Sequence, residues 1–217
     1  GKFLAMQHYG VTPDMAVVSK GISSGYFPLG AVLVHREVYK VIQDSPSGKF
    51  IHGNTFAGNP LACAVGLEVL KILDEDGHLD RVARMGKRRA RRLKALKKHP
   101  IVGDVRCIGL LAGVEFVRSQ KSRRPFPSEW ELSGRIARRC LDNGLYIYPG
   151  RGSGGNHQGG DHLLLAPPYI IDDEELDTMV EILDRSISEV LPEVEKLVQE
   201  SSRKPRGKVI PMNRTRR

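Results

Sequence analysis

Residues 15–34 read MAVVSKGISSGYFPLGAVLV, and this stretch decides the fold of its part of the chain. Met15–Ser19 is a short apolar run, and Ala31–Val34 is a second one; both are typical of buried strands. The loop between them, Gly21–Gly30, is rich in glycine and serine. Because loops on a rigid scaffold often carry functional side chains, two buried strands joined by this loop predict a ligand site.

Lys20 lies where the first strand meets the loop. A lysine at the end of an apolar strand is unusual, because burying an ammonium group is costly unless it is paired or neutralised. A depressed pKa would remove the cost and make the amine a nucleophile that can form a Schiff base with a carbonyl. Alternatively, the aliphatic stem lies along the strand and the ammonium group reaches solvent. The position of Lys20 alone favours this second interpretation, in which the ammonium group is solvated.

Two helices are predicted between the loop and Pro100. The first begins at Asn59-Pro60, a capping residue followed by a proline suited to the first turn, and ends at Gly77. The second is basic and runs from about Leu79 to His99. The expected apolar faces are Leu61, Val65, Val69 and Ile72 on the first helix, and Val82, Met85, Leu93 and Leu96 on the second.

Beyond Pro100 the pattern alternates between strands and helices. Val105–Phe116 predicts two short strands around Gly109, and Tyr146–Tyr148 and Leu163–Ala166 predict two more on either side of a glycine-rich loop, residues 150–160. The chain therefore belongs to the α/β class, with a domain change expected near residues 80–100.

Two capping boxes predict the starts of two further helices in this second half. Ser128-x-x-Glu131 is expected to begin a helix that ends at Gly144, and Asp172-x-x-Glu175 is expected to begin the last helix. The apolar face of the last helix consists of Leu176, Met179, Val180, Leu183, Ile187 and Val190.

The net charge of +9 is concentrated in two segments, Arg81–Lys98 and Arg203–Arg217. Such runs occur on surfaces that bind phosphate or nucleic acid, and also on solvated helix faces and disordered tails. The second interpretation is favoured, because the basic helix keeps a regular apolar side.

Other site classes find little support in the sequence. Cys63, Cys107 and Cys140 are too scattered for a disulfide framework or a zinc site, and they indicate a reducing compartment. No apolar run approaches the ~18–20 residues that cross a bilayer. His157, Asp161 and His162 are expected to be loop residues rather than a metal cluster.

The first residues, without an initiator Met, resemble neither a signal nor a transit peptide, and we expect a fragment of a longer protein.

Three blocks of sequence resemble the class III aminotransferases, the ω-amino group of fold type I pyridoxal-phosphate enzymes. Val18–Ala31 (VSKGISSGYFPLGA) resembles the segment that carries their cofactor lysine. His52–Cys63 (HGNTFAGNPLAC) resembles their HGxTFxGNPLAC motif, and Asp161–Asp177 (DHLLLAPPYIIDDEELD) resembles their C-terminal strand and helix. The resemblance extends over about residues 1–190.

The resemblance implies a domain organisation. Residues 1–80 would be the C-terminal part of the large domain that binds pyridoxal phosphate, and residues 81–200 would be the small C-terminal α/β domain. Residues 201–217 would be a basic, disordered tail. A homodimer with shared active sites is also implied.

The same resemblance implies roles for three residues. Lys20 would hold pyridoxal phosphate through its amine and then move a proton between substrate and cofactor. Thr55 would hydrogen-bond the cofactor phosphate, usually across the dimer interface. Arg151 would pair with the carboxylate of the substrate, although a solvent-exposed loop arginine is an equal alternative. The substrates would be an amino donor and a keto acid.

The family's aspartate that pairs with the pyridine nitrogen would lie upstream of Gly1. We therefore expect little or no transaminase activity from the 217 residues alone. Ser24-Gly25-Tyr26 resembles the ω-amino acid:pyruvate and amine branch. An aminomutase resembling the glutamate-1-semialdehyde enzyme, or an inactive scaffold with a basic surface for nucleic acid, remain alternatives. Nucleic-acid binding is not expected, and the expected compartment is the cytoplasm, with mitochondria as the alternative.

Overall fold

The computed structural model describes residues 1–152 and 160–203. The chain divides into two compact units. Unit 1 comprises residues 1–87 with residues 168–170, and unit 2 comprises residues 88–167 with residue 171 onward. The predicted basic tail lies outside the described residues from residue 204 on.

Unit 1 contains the ribbon predicted from the opening stretch. Strand β1 (Met15–Ser19) pairs antiparallel with β2 (Gly30–Val34), and Ser19 lies opposite Gly30. The two strands are confirmed, but the prediction that they are buried is wrong. Ala16 is buried, whereas Val17 is 80% exposed and every residue of β2 is exposed. A two-stranded ribbon buries only what another layer covers, and the described residues cover little of it beyond Ala16.

Two helices of unit 1 follow the ribbon: α1 (Arg36–Gln43) and α2 (Pro60–Glu75). The predicted start of α2 is confirmed, since the Asn59 side chain accepts a hydrogen bond from the amide of Ala62 at 3.0 Å. Its predicted apolar face is partly wrong. Leu61 is 59% exposed, while the small residues Ala62 and Gly66 are buried. The large apolar residues therefore did not indicate which side of α2 is buried, because the closest packing is made by its small residues.

The basic helix α3 (His78–Lys94) continues as a 3₁₀ helix (Ala95–Lys98) and stops before Pro100, as predicted. Its expected buried side is confirmed, and the division between the two units falls within it. Arg88 and Arg92 form ion pairs with Asp177 at 2.9 and 2.6 Å. Part of the basic charge is therefore neutralised within unit 2.

Arg89 differs from the other basic residues of α3. Its side chain is fully buried, and none of its guanidinium nitrogens has a hydrogen-bond partner among the described residues. Burial lowers the pKa of Arg89, because the charged form loses its hydration. This cation is an electrostatic cost within the core of unit 2.

Unit 2 is built on a four-stranded sheet with the order β3-β4-β6-β5, in which every neighbouring pair is antiparallel. The predicted hairpin around Gly109 is confirmed, and the two later strands are shifted by one or two residues. Helix α4 packs against β5, β6 and α5. The strands are β3 (Val102–Ile108), β4 (Leu111–Phe116), β5 (Tyr148–Gly150) and β6 (His162–Leu165), and the helices are α4 (Leu132–Asp142) and α5 (Asp173–Arg203).

The sheet and both helices share one apolar core. The predicted face of α5 is confirmed, since all six of its residues are buried. The fully buried side chains, at 0% exposure, include Val102, Val114, Phe116, Leu163, Ile136, Leu176, Leu183 and Ile187.

The two predicted capping boxes have different outcomes. Asp172 and Glu175 exchange hydrogen bonds at 2.9 and 2.8 Å, so the box at the start of α5 is confirmed. The box at Ser128 and Glu131 is wrong. Ser128–Trp130 forms a 3₁₀ turn, Glu131 has a left-handed backbone with φ of 50°, and α4 begins one residue later.

The carboxylate of Asp161, distant in sequence, caps α4 instead. It accepts hydrogen bonds from both the amide and the hydroxyl of Ser133, each at 2.9 Å, and Asp161 is only 3% exposed. It therefore satisfies an amide at the helix start that a local cap would otherwise satisfy.

A charged cluster follows the end of α3. Asp184 on α5 accepts hydrogen bonds from Lys98 at 2.7 Å and from the buried His99 at 2.5 Å. Burial alone would raise the pKa of Asp184, but the hydrogen bonds and charges of Lys98 and His99 outweigh it and leave the pKa below its ordinary value.

This cluster predicts a loss of stability in acid. The pKa of Asp184 is lower in the folded protein than its unfolded value of about 3.9. Ionised Asp184 therefore contributes fully to the free energy of unfolding above the unfolded pKa, and this contribution is lost as pH falls through the folded-state pKa. We expect the urea midpoint of the wild type to fall between about pH 5 and pH 2 more steeply than that of Asp184→Asn, which cannot ionise. Parallel pH profiles of the two proteins would contradict this account.

Candidate active site

Lys20 follows β1 directly and begins a 3₁₀ turn, Lys20–Ser23, which we call the lysine turn. Its backbone is left-handed, with φ of 53°, although lysine carries a Cβ. Such a conformation costs about 1–3 kcal/mol and is concentrated at functional sites. The expectation of a buried amine is wrong for the described residues, because Lys20 is exposed at the end of an uncovered ribbon.

Hydrogen bonds fix both ends of the lysine turn. The hydroxyl of Ser19 donates to the carbonyl of Leu29 at 3.2 Å, which ties the strand end to the far side of the loop. The hydroxyl of Ser23 donates to the carbonyl of Lys20 at 3.3 Å, and the amide of Ser24 donates to the carbonyl of Gly21 at 3.2 Å. Hydrogen bonds between polar groups of the loop itself therefore fix its conformation.

Helix α2 packs closely against this loop through Gly66. A methyl group on the α-carbon of Gly66 would lie 2.6 Å from Cδ2 of Leu29 and 3.7 Å from the main-chain oxygen of Ile22. The absence of a side chain at Gly66 therefore allows the helix to approach the backbone of the lysine turn.

Thr55 lies in the turn that leads into α2. The amide of Ala57 donates to the carbonyl of Asn54 at 2.8 Å, and Gly58 has a left-handed backbone with φ of 70°. Thr55 is exposed, four residues before the cap Asn59. A hydroxyl is a hydrogen-bond donor that suits a phosphate oxygen.

The two candidate cofactor residues lie on segments that meet α2 at different points. The lysine turn packs at Gly66, and the Thr55 turn leads to the N-terminus of the helix. A primary amine suits an aldehyde, and a hydroxyl suits a phosphate oxygen. Each residue by itself therefore fits one group of pyridoxal phosphate, the aldehyde for Lys20 and the phosphate for Thr55.

Arg151 follows β5 in unit 2. Its guanidinium lies 2.7 Å from the carboxylate of Glu131, and both side chains are more than half exposed. The geometry shows a carboxylate bound to Arg151, but this carboxylate belongs to the protein. Surface pairs of this kind contribute roughly 0–1 kcal/mol, so a competing carboxylate could displace Glu131 at little cost.

The neighbouring polar residues have structural partners. Asp161 caps α4, and Nδ1 of His162 donates to the carbonyl of Gly160 at 3.0 Å. The ring of His162 fills the space that a side chain at residue 150 would need, which explains why that position is glycine. His157 lies outside the described residues.

Ser23, Gly66 and Asp161 were not singled out for these roles from the sequence. Ser23 stands in a serine-rich loop, and nothing in the sequence distinguishes it from Ser24. Gly66 breaks the apolar pattern of α2 and gave a weak signal of close packing. Asp161 acts on a helix that begins about thirty residues earlier, so no local pattern could reveal it.

The described part of the chain contains no helix that combines the length and the apolar character needed to span a bilayer.

Residues 1–187 match the family described as Aminotransferase class-III. A chloroplastic gamma aminobutyrate transaminase from Solanum lycopersicum is 36% identical over 199 residues, which are 91% of this chain and 36% of that protein.

Two solved structures are also similar. An (S)-enantioselective omega-transaminase from Thermomicrobium roseum has a TM-score of 0.76 and 35% identity, and the match covers 86% of this chain and 39% of that one. A PMP-bound aminotransferase from Vibrio fluvialis has a TM-score of 0.77 and 30% identity, over 87% of this chain and 40% of that one.

This chain spans about two-fifths of the length of these relatives. The likeness confirms the α/β fold of type I pyridoxal-phosphate transferases expected from the sequence. Because the family match extends over most of its length, the chain belongs to the class III aminotransferases.

Proposed function

We propose that the protein carrying this chain moves an amino group between an amine or ω-amino acid and a keto acid, with pyridoxal phosphate as cofactor. The observation that carries this proposal is Lys20, a strained and exposed lysine directly after a strand, in a stretch that resembles the family's lysine segment and lies within the residues matched to the family. The relatives named as gamma aminobutyrate transaminase and omega-transaminase support the amine and ω-amino acid class.

Three residues have proposed roles. Lys20 would hold the cofactor through its amine, and the same amine, when free, would carry a proton to and from the substrate carbon. Thr55 binds the cofactor phosphate, and Arg151 exchanges Glu131 for the carboxylate of the substrate. Pyridoxal phosphate, when bound, supplies the electron sink.

The domain organisation is also a proposal. Residues 1–80 are assigned to the end of the large cofactor domain, residues 81–200 to the small domain and residues 201–217 to a basic tail. The division of the chain near residue 88 into two units supports this assignment. We further propose a homodimer in which Thr55 serves the partner's cofactor, and a cytoplasmic location, with mitochondria as the alternative.

The test is amino transfer by the full-length gene product loaded with pyridoxal phosphate. We expect turnover of an amine or ω-amino acid that requires a keto acid such as pyruvate. Isomerisation of an amino aldehyde without any keto acid would indicate an aminomutase instead. No turnover, together with retention on DNA that falls steeply with salt, would indicate the inactive scaffold. The ion pairs of Arg88 and Arg92 count against that last outcome.

A further inference from the structure

The left-handed backbone of Lys20 requires support from its surroundings. A residue with a Cβ keeps such a conformation only where neighbouring groups determine it. The exposed ribbon before Lys20 supplies little packing. Support for its left-handed backbone therefore comes from the residues that follow it in the lysine turn.

Ser23 is the polar residue of the lysine turn that the fold encloses. It is 2% exposed, whereas Gly21 within the turn and Ser24 directly after it are exposed. Its hydroxyl donates to the main-chain carbonyl of Lys20 at 3.3 Å, so it contacts the backbone of the cofactor-lysine candidate. The preceding residue, Ile22, faces Gly66 of α2, which limits movement of the turn as a whole.

We infer that Ser23 is a positioning residue for Lys20. Its buried hydroxyl holds the carbonyl of Lys20, and with it the left-handed backbone from which the amine projects. The inference rests on the proposed function of Lys20 as the cofactor lysine. Ser23 has no chemical role of its own in the reaction.

Removing the hydroxyl should therefore slow chemistry without preventing it. A displacement of about 1 Å in a reacting group can lower a rate by about 10²-fold, so we expect Ser23→Ala in the full-length protein to lower kcat by roughly tenfold or more. The KM for the keto acid should change little. Absorbance should show slower attachment of pyridoxal phosphate to the apoprotein by a similar factor.

Two further variants separate the hydrogen bond from packing. Ser23→Cys fills nearly the same space but donates only weakly, so it should behave like Ser23→Ala. If Ser23→Ala fails to fold, Ser23→Cys carries the test. Ser188→Ala is the matched control, because the exposed hydroxyl of Ser188 donates to the carbonyl of Asp184 at 3.0 Å, in unit 2. It should leave attachment and kcat unchanged.

The outcomes distinguish this inference from the proposed function. Attachment at Lys20 in the wild type, with unchanged kcat and attachment rates in both Ser23 variants, would overturn the positioning role alone. Full recovery in Ser23→Cys would likewise overturn it, since packing would then explain the effect. No attachment at Lys20 in the wild type would overturn the proposed function, and the positioning role with it.

Discussion

Replacing Lys20 by alanine is expected to lower the rate of amino transfer by the full-length protein by more than about 10³-fold, since covalent capture and proton transfer are lost together. The fold should survive, because Lys20 is exposed and the hydrogen bond from Ser23 uses its main-chain carbonyl, which alanine retains. Alanine also carries a Cβ, so the strain at φ of 53° is unchanged.

Two controls belong to this experiment. Lys20→Arg keeps the positive charge but cannot condense with an aldehyde, so it should be as inactive as Lys20→Ala. Lys40→Ala removes an exposed lysine of α1 and should retain wild-type turnover. Steady-state rates with an amine and pyruvate provide the measurement. Substantial turnover by Lys20→Ala would show that another group performs the chemistry.

Replacing Asp161 by alanine is expected to destabilise unit 2 by about 2–4 kcal/mol. Loss of a helix cap costs about 1 kcal/mol, and leaving buried donors unsatisfied costs about 1–3 kcal/mol. Both costs apply, because the amide and hydroxyl of Ser133 lose their shared acceptor within the core. Urea denaturation followed by circular dichroism would measure the difference.

Asp161→Asn should be milder than Asp161→Ala, since its amide oxygen can still accept a hydrogen bond. Glu131→Ala is the second control. It changes the residue that the sequence pattern had identified as part of the cap, and its side chain is 60% exposed. It should shift stability by no more than roughly 1 kcal/mol. Equal losses in Glu131→Ala and Asp161→Ala would contradict the assignment of Asp161 as the cap.

Local signals predicted much of the fold correctly. The bounds of β1, the cap at Asn59 and the box at Asp172 and Glu175 all agree with the structure. In each case the groups that decide the conformation lie within a few residues of one another. The sequence of the segment therefore contained the whole physical cause.

The failures concern contacts made at a distance. Ser128 and Glu131 have the spacing of a capping box, but the carboxylate of Asp161 already occupies the helix start. The packed side of α2 depends on the close approach of Gly66 to Leu29 and the lysine turn, and the apolar periodicity of the helix does not show this contact. Burial of Lys20 was inferred from apolar neighbours, although burial depends on what covers them.

The candidate site was likewise predictable in part. The lysine and threonine motifs gave the family, and the structure places both on loops that meet α2. Arg151 was chosen for the chemistry of its guanidinium, and its partner Glu131 could not be read from the sequence. The support of Lys20 by Ser23 depends on a φ of 53° that only the structure reveals.

The most direct measurement is the site at which the cofactor attaches. The full-length protein would be incubated with pyridoxal phosphate, reduced with borohydride, digested and sequenced by mass spectrometry. We predict a phosphopyridoxyl group on Lys20 in the peptide that contains Ser19 and Gly21. Modification of a different lysine, or of none, would contradict the account.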